Sequence, residues 1–145
     1  MRVNIDISPE NKETHAVIYT DKMTEEVRRA SKLLEGDEAH LLTAQYKDDI
    51  VILRPGEIYM VRVEDKDTVI YGREDKYFSR KRLYEISDLL GAGFMQISKS
   101  TLVNLSYLDR IEPGFGGTVL LKLRNGSKDY VSRKYLPEFK RYLGL

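Results

Sequence analysis

Three short clusters combine cations with hydroxyls: Ser98-Lys99-Ser100, Ser132-Arg133-Lys134 and, following Ser79, Arg80-Lys81-Arg82. Lysine, arginine, serine and backbone amides are the groups that hold phosphate, and donors at the tips of rigid elements read base edges. The first cluster interrupts an apolar stretch, Phe94-Met95-Gln96-Ile97, which resumes as Thr101-Leu102-Val103-Asn104. It must therefore project where a strand breaks. The second falls where a predicted strand meets a helix. The third is assigned to the first turn of a helix, where the macrodipole slightly disfavours cations; its simpler reading is a solvated outer face.

Other chemistry finds little support. His15 and His40 fall in predicted strands, with no partner at metal or triad spacing. Acidic pairs such as Asp48-Asp49, Glu64-Asp65 and Glu74-Asp75 lie in predicted turns with basic neighbours. Gly114-Phe115-Gly116-Gly117 resembles a phosphate loop only superficially, since no helix follows it to supply amides. It is expected to be a flexible hairpin connection. No nucleophile, base and orienting group come together, so no enzyme, cofactor or metal is expected.

At 145 residues, 41% of them hydrophobic and 32% charged, the chain suits one compact domain or a small domain with an appendage. It has no cysteine, which fits a reducing cytoplasm. No apolar run reaches the length of a membrane span, and Met1–Glu10 lacks the apolar core of a signal peptide. The expected location is the cytoplasm. The net charge of +1 hides an asymmetry: residues 94–145 hold nine basic and four acidic residues, leaving residues 1–93 net acidic. A basic end suggests a polyanionic partner for that end.

The elements that must position the clusters follow from hydrophobic periodicity. Residues 2–7 and 15–20 read as strands. Residues 21–36 read as a helix burying Val27, Ala30 and Leu34, capped by Thr24 or Asp21 and stopped by Gly36. A hairpin around Lys47-Asp48-Asp49 follows, then Pro55-Gly56 as the strongest boundary signal. Beyond it come strands flanking Glu64–Asp67, a short strand at Lys76–Ser79, and a helix with Leu83, Ile86 and Leu90 inward, Ser79 as a candidate cap and Gly91 as its stop. Asn125-Gly126 marks a hairpin. A last helix begins near Leu136, with Pro137 tolerated at its start and Leu136, Phe139, Tyr142 and Leu143 on one face. Many short strands with two helices after Pro55 predict an α+β, mostly β fold of antiparallel sheets.

Residues 94–112, the Gly114–Gly117 connection and "VLLKLRNGSKDYVSRKYLPEFKRYL" resemble the LytTR family of bacterial DNA-binding domains. The likeness runs over about residues 54–145, and "SKSTLVN" and "VSRKYL" are its most specific segments. It implies an elongated β-β-β arrangement with two short helices, preceded here by a small α+β layer over residues 1–53. It also implies a transcriptional regulator whose loops enter successive grooves of double-stranded DNA. Carried over by position, the contacts fall at Lys66 and Asp67 in the first hairpin loop, at Ser98, Lys99 and Ser100, and at Ser132, Arg133 and Lys134. Three acids around Lys66 depart from the usual pattern and weaken that contact. Asn104, part of the same signature, reads as structural, satisfying backbone groups in a turn. The first 53 residues are too short for a receiver domain; they are expected to dock on the DNA-binding part, to pair with a second copy through the helix and Leu33, or to take a regulatory partner. The rival expectation is a β-rich adaptor that binds protein or a small ligand. An RNA reader would need exposed rings on a sheet face, and Tyr107, Tyr130 and Tyr135 are mostly expected to be packed.

Overall fold

The computed structural model of the chain describes residues 1–35 and 41–145. Gly36 and His40, assigned above to a helix stop and a strand, lie outside the described residues. Strands β1 (Leu42–Tyr46), β2 (Asp49–Leu53), β3 (Met60–Glu64), β4 (Asp67–Tyr71), β5 (Lys76–Ser79), β6 (Phe94–Gln96) and β7 (Thr101–Asn104) form one sheet in the order β2-β1-β5-β4-β3-β7-β6. Strands β8 (Leu108–Pro113), β9 (Val119–Leu123) and β10 (Lys128–Val131) form a second sheet, ordered β10-β9-β8. Every pairing is antiparallel. Three helices complete the fold: α1 (Glu25–Leu34), α2 (Leu83–Leu90) and α3 (Leu136–Leu143).

The large sheet is covered on both faces at its centre, which is why β4 and β7 are buried along nearly their whole length. On one face Val61, Ile70 and Leu102 pack against Leu83, Ile86 and Leu90 of α2. On the other, Met60, Val69 and Val103 pack against Leu121 and Leu123 of the small sheet and Phe139 of α3. The result is three layers: helix, seven strands, then three strands with a helix. Pro55–Glu57 is a single 3-10 turn, and the sheet and core run through this expected boundary. Gln45 pairs with Phe78, and Leu42, Ala44 and Leu53 join the α2 core.

Asn104 ends β7 buried among backbone groups. Its Nδ2 donates to the carbonyls of Ile58 at 2.8 Å and Pro55 at 3.2 Å, and its Oδ1 accepts from the Ser106 amide at 3.0 Å. The asparagine thus ties the Pro55 turn to the end of the central hairpin, as its position after an apolar run suggested.

Several expectations about the first half are corrected. Residues 2–7 and 15–20 form no strand, and Val3, Ile5, Ile7, Val17 and Tyr19 are exposed. Alternation produces a strand only where another edge accepts its hydrogen bonds, and within this chain no described edge does so. His15 therefore lies in exposed coil, its Nδ1 3.1 Å from the Glu13 carbonyl oxygen. In α1, Thr24 is the cap, accepting from the Val27 amide at 3.2 Å. Val27 is buried, but Leu34 joins Leu33 on the exposed side. Arg80 and Lys81 precede α2 and Arg82 holds its N-cap position, so the cations lie ahead of the first turn instead of within it, and Glu85 supplies negative charge there. Ser79 ends β5 and accepts from the Lys81 amide at 3.1 Å instead of capping the helix.

Candidate nucleic-acid interface

The interruption at Ser98-Lys99-Ser100 is the tip of the β6–β7 hairpin. The Ile97 amide donates to the Thr101 carbonyl at 2.9 Å, closing the turn. Within it, the Ser100 amide donates to Ser98 Oγ at 3.2 Å, and the two hydroxyls lie 3.3 Å apart. The serines brace one another, while Lys99 stays exposed. Its side chain has no core to enter, because the strands on either side have already consumed the inward positions.

Two backbone hydrogen bonds bring the other clusters to this tip. The Val63 amide donates to the Ser100 carbonyl at 2.8 Å, setting the β3–β4 turn, with Lys66 and Asp67 exposed, beside the Ser98–Ser100 turn. The Ser132 amide donates to the Ile97 carbonyl at 2.9 Å, setting the β10–α3 junction on its other side. All three cationic segments therefore share one edge of the molecule. Among the described residues, Lys66, Lys99, Arg133 and Lys134 enter no ion pair.

The junction sends its two cations to different neighbours. Arg133 lies along the β8–β9 turn, its guanidinium 3.6 Å from where a Cβ on Gly116 would stand. Lys134 lies 5.8 Å from the Tyr135 ring and lines a cleft with Arg28, Arg29 and Lys32 of α1. The clusters are thus not equivalent: Arg133 flanks the shared edge, whereas Lys134 turns toward the α1 side. Arg80-Lys81-Arg82 follows β5 at the same end of the sheet as the β3–β4 turn, since Ser79 pairs with Thr68. The Thr68 hydroxyl donates to the Lys81 carbonyl at 2.8 Å, which sets this cluster on the far side of that turn from Ser98–Ser100.

A second group of residues, invisible to pattern reading, holds the edge in register. Arg62 on β3 donates to Glu64 at 2.7 Å and to the Tyr71 hydroxyl at 2.7 Å, and that hydroxyl donates to Glu64 at 2.7 Å. The other side of the guanidinium lies 3.7 Å from Asp129 on β10, which accepts from the buried Thr101 hydroxyl at 2.5 Å. Charged hydrogen bonds thus clamp β3, β7 and β10 just behind the loops. Burial pushes the Glu64 carboxyl upward, but hydrogen bonds from Tyr71 and Arg62, with the charges of Arg62 and Lys76, outweigh it and hold Glu64 below its ordinary range. Only the alternation of β3 hinted at this, by leaving Arg62 at a position facing the small sheet.

Gly114–Gly117 also differs from expectation, being a closed turn. The Gly114 amide donates to the Thr118 carbonyl at 2.9 Å, and the Thr118 amide and hydroxyl donate to the Phe115 carbonyl at 3.2 and 2.6 Å. Gly116 and Gly117 take φ of 62° and 83°, where side chains other than glycine are strained. Of the candidate rings for RNA, Tyr107 is stacked on Tyr59 at 3.8 Å and hydrogen-bonded to the Gly56 carbonyl; Tyr135 is half-buried and Tyr130 exposed.

A mostly β scaffold of antiparallel sheets thus presents cationic turns along one edge. The chain belongs to the LytTR family: the family's LytTr DNA-binding domain model matches residues 48–144. It is 32% identical over 136 residues to the sensory transduction protein LytT of Enterococcus faecalis, covering 86% of this chain and 56% of that one. The chain therefore spans little more than half the length of that relative. An uncharacterized HTH-type transcriptional regulator of Staphylococcus aureus strain MSSA476 is 26% identical over 146 residues, covering 100% of this chain and 99% of the relative. Among solved structures, the LytTr DNA-binding domain of a Bacillus cereus protein described as a methyl-accepting/DNA response regulator superposes with a TM-score of 0.67 at 25% identity. That match covers 73% of this chain and 98% of the other. The family is one of DNA-binding transcriptional regulators, not enzymes. No helix among the described residues is long and apolar enough to cross a membrane.

Proposed function

We propose that this chain is a bacterial transcriptional regulator that reads double-stranded DNA with three neighbouring loops. Lys99 and Arg133 enter the grooves, Lys66 and Asp67 flank them, and Ser98, Ser100 and Ser132 brace the turns or bind phosphate. Lys134 contributes from the α1 side, as a weaker contact. The observation that carries this reading is the pair of backbone hydrogen bonds, Val63 to Ser100 and Ser132 to Ile97, which gathers cations without ion partners among the described residues on one edge. Selection of bound duplexes from a random pool tests it: recovery of a defined motif supports the reading, and a pool that never enriches sinks it.

The regulator acts as a homodimer on two half-sites, with the part of residues 1–53 outside the sheets as its dimerisation or regulatory segment. This rests on the exposed Val3, Ile5, Ile7, Leu33 and Leu34, apolar side chains that the described part of the chain leaves uncovered. Reducing conditions in the cytoplasm suit its cysteine-free composition.

A further inference from the structure

The β8–β9 turn carries a side chain that the three loops do not account for. Phe115 is 94% exposed, at the tip of a turn closed by three hydrogen bonds. A Cβ on Gly114 would stand 2.6 Å from the Thr118 hydroxyl and 2.9 Å from its carbonyl oxygen, so only glycine permits this closure. Three glycines therefore shape a turn whose one large side chain points into solvent. A ring held fully exposed at the tip of a closed turn is available to a partner from outside the chain.

Strand register decides which partner. Val119 pairs with both Pro113 and Val131, so the β8–β9 turn lies at the same end of the small sheet as Ser132 and Arg133. The Arg133 side chain runs along Gly116 and Gly117. Phe115 thus stands on the cationic edge itself, in the turn that the Arg133 side chain runs along.

We infer that Phe115 is a fourth contact to duplex DNA, apolar where the other three are charged. Its ring packs on deoxyribose and base edges beside the groove that Arg133 enters. The inference rests on the proposed DNA-binding edge. Such a contact adds affinity that releases no counterions and is therefore insensitive to salt. Truncating the ring removes that apolar burial, for which a loss of about ten-fold in affinity is expected.

The test measures fluorescence anisotropy of the full chain on a duplex selected from a random pool, at several salt concentrations. Phe115→Ala should bind about ten-fold more weakly with an unchanged slope of log K against log salt. Phe115→Leu should recover most of that loss, and Arg133→Ala should flatten the slope by about one. Because Phe115 and Arg133 are both exposed, all three should melt like the parent. A parent that binds while Phe115→Ala binds equally well overturns the inference and leaves the DNA-binding reading standing. So does a Phe115→Ala variant that changes oligomeric state instead of DNA affinity, which would assign the ring to a second copy. A parent that binds no duplex overturns the DNA-binding reading, and this inference with it.

Discussion

Lys99, Arg133 and Lys134 carry the same charge but stand in different surroundings, and their surroundings rank them. Lys99 projects from a closed turn with no neighbouring acid in an ion pair, and Arg133 presents a planar fork suited to guanine or phosphate. Lys134 leans on Tyr135 and faces the α1 cleft. Arg133→Ala should therefore weaken DNA binding more than Lys134→Ala, by at least about three-fold; anisotropy titrations showing the reverse order would contradict the ranking. Glu64 allows a second test. Its folded carboxyl titrates below the ordinary value of 4.5, so its stabilising effect is complete above that pH and is lost as pH falls through the folded value. Glu64→Gln should lower the urea midpoint at pH 7, with a parent–variant difference that shrinks toward pH 3. A difference constant across that range would mean that Glu64 does not clamp the loops through its charge.

The helices and hairpins were legible to very different degrees. α2 showed itself through Leu83, Ile86 and Leu90, and the β9–β10 hairpin through Asn125-Gly126, because periodicity and turn chemistry are local. The strands expected at 2–7 and 15–20 were not formed, since a strand also needs an edge to pair with, and no window of sequence reports whether one exists. The β6–β7 turn was legible as a break, but its neighbours were not: the bonds from Val63 to Ser100 and from Ser132 to Ile97 join segments more than thirty residues apart. Arg62 and Asp129, 67 positions apart, were invisible for the same reason. α3 anchors the junction through Phe139, which is fully buried. Phe139→Ala should destabilise the fold by about 3–5 kcal/mol; a urea midpoint close to the parent's would mean that α3 is not anchored by this ring. Glu138, on the same helix, has its carboxyl pushed up by burial and by Glu25. A raised carboxyl stabilises the fold only while protonated and loses that contribution as pH rises through its folded value. Glu138→Gln should therefore melt higher than the parent at pH 7 and indistinguishably from it well below pH 4.5.

The three layers, the cationic edge and the uncovered N-terminal segment belong together in one molecule. The layers fix the loops, and the loops supply charge. The proposed dimer would join through the exposed apolar residues at 3, 5, 7, 33 and 34. Light scattering on the eluting protein should report twice the chain mass, and Ile5→Asp combined with Leu33→Asp should return a monomer that still folds. A parent that elutes as a monomer would end the dimer reading without touching the DNA-binding one. The most direct test of the whole account compares DNA affinity for three charge-matched changes on a selected duplex: Lys99→Ala, Arg133→Ala and Lys47→Ala. Lys47 is equally exposed but sits at the β1–β2 tip, beside Tyr46 and hence near Asp75, at the end of the large sheet opposite the β3–β4 turn. Lys99→Ala and Arg133→Ala should each cost roughly 1–3 kcal/mol of binding, while Lys47→Ala binds within about two-fold of the parent. Equal losses from all three, or no loss from the first two, would contradict it.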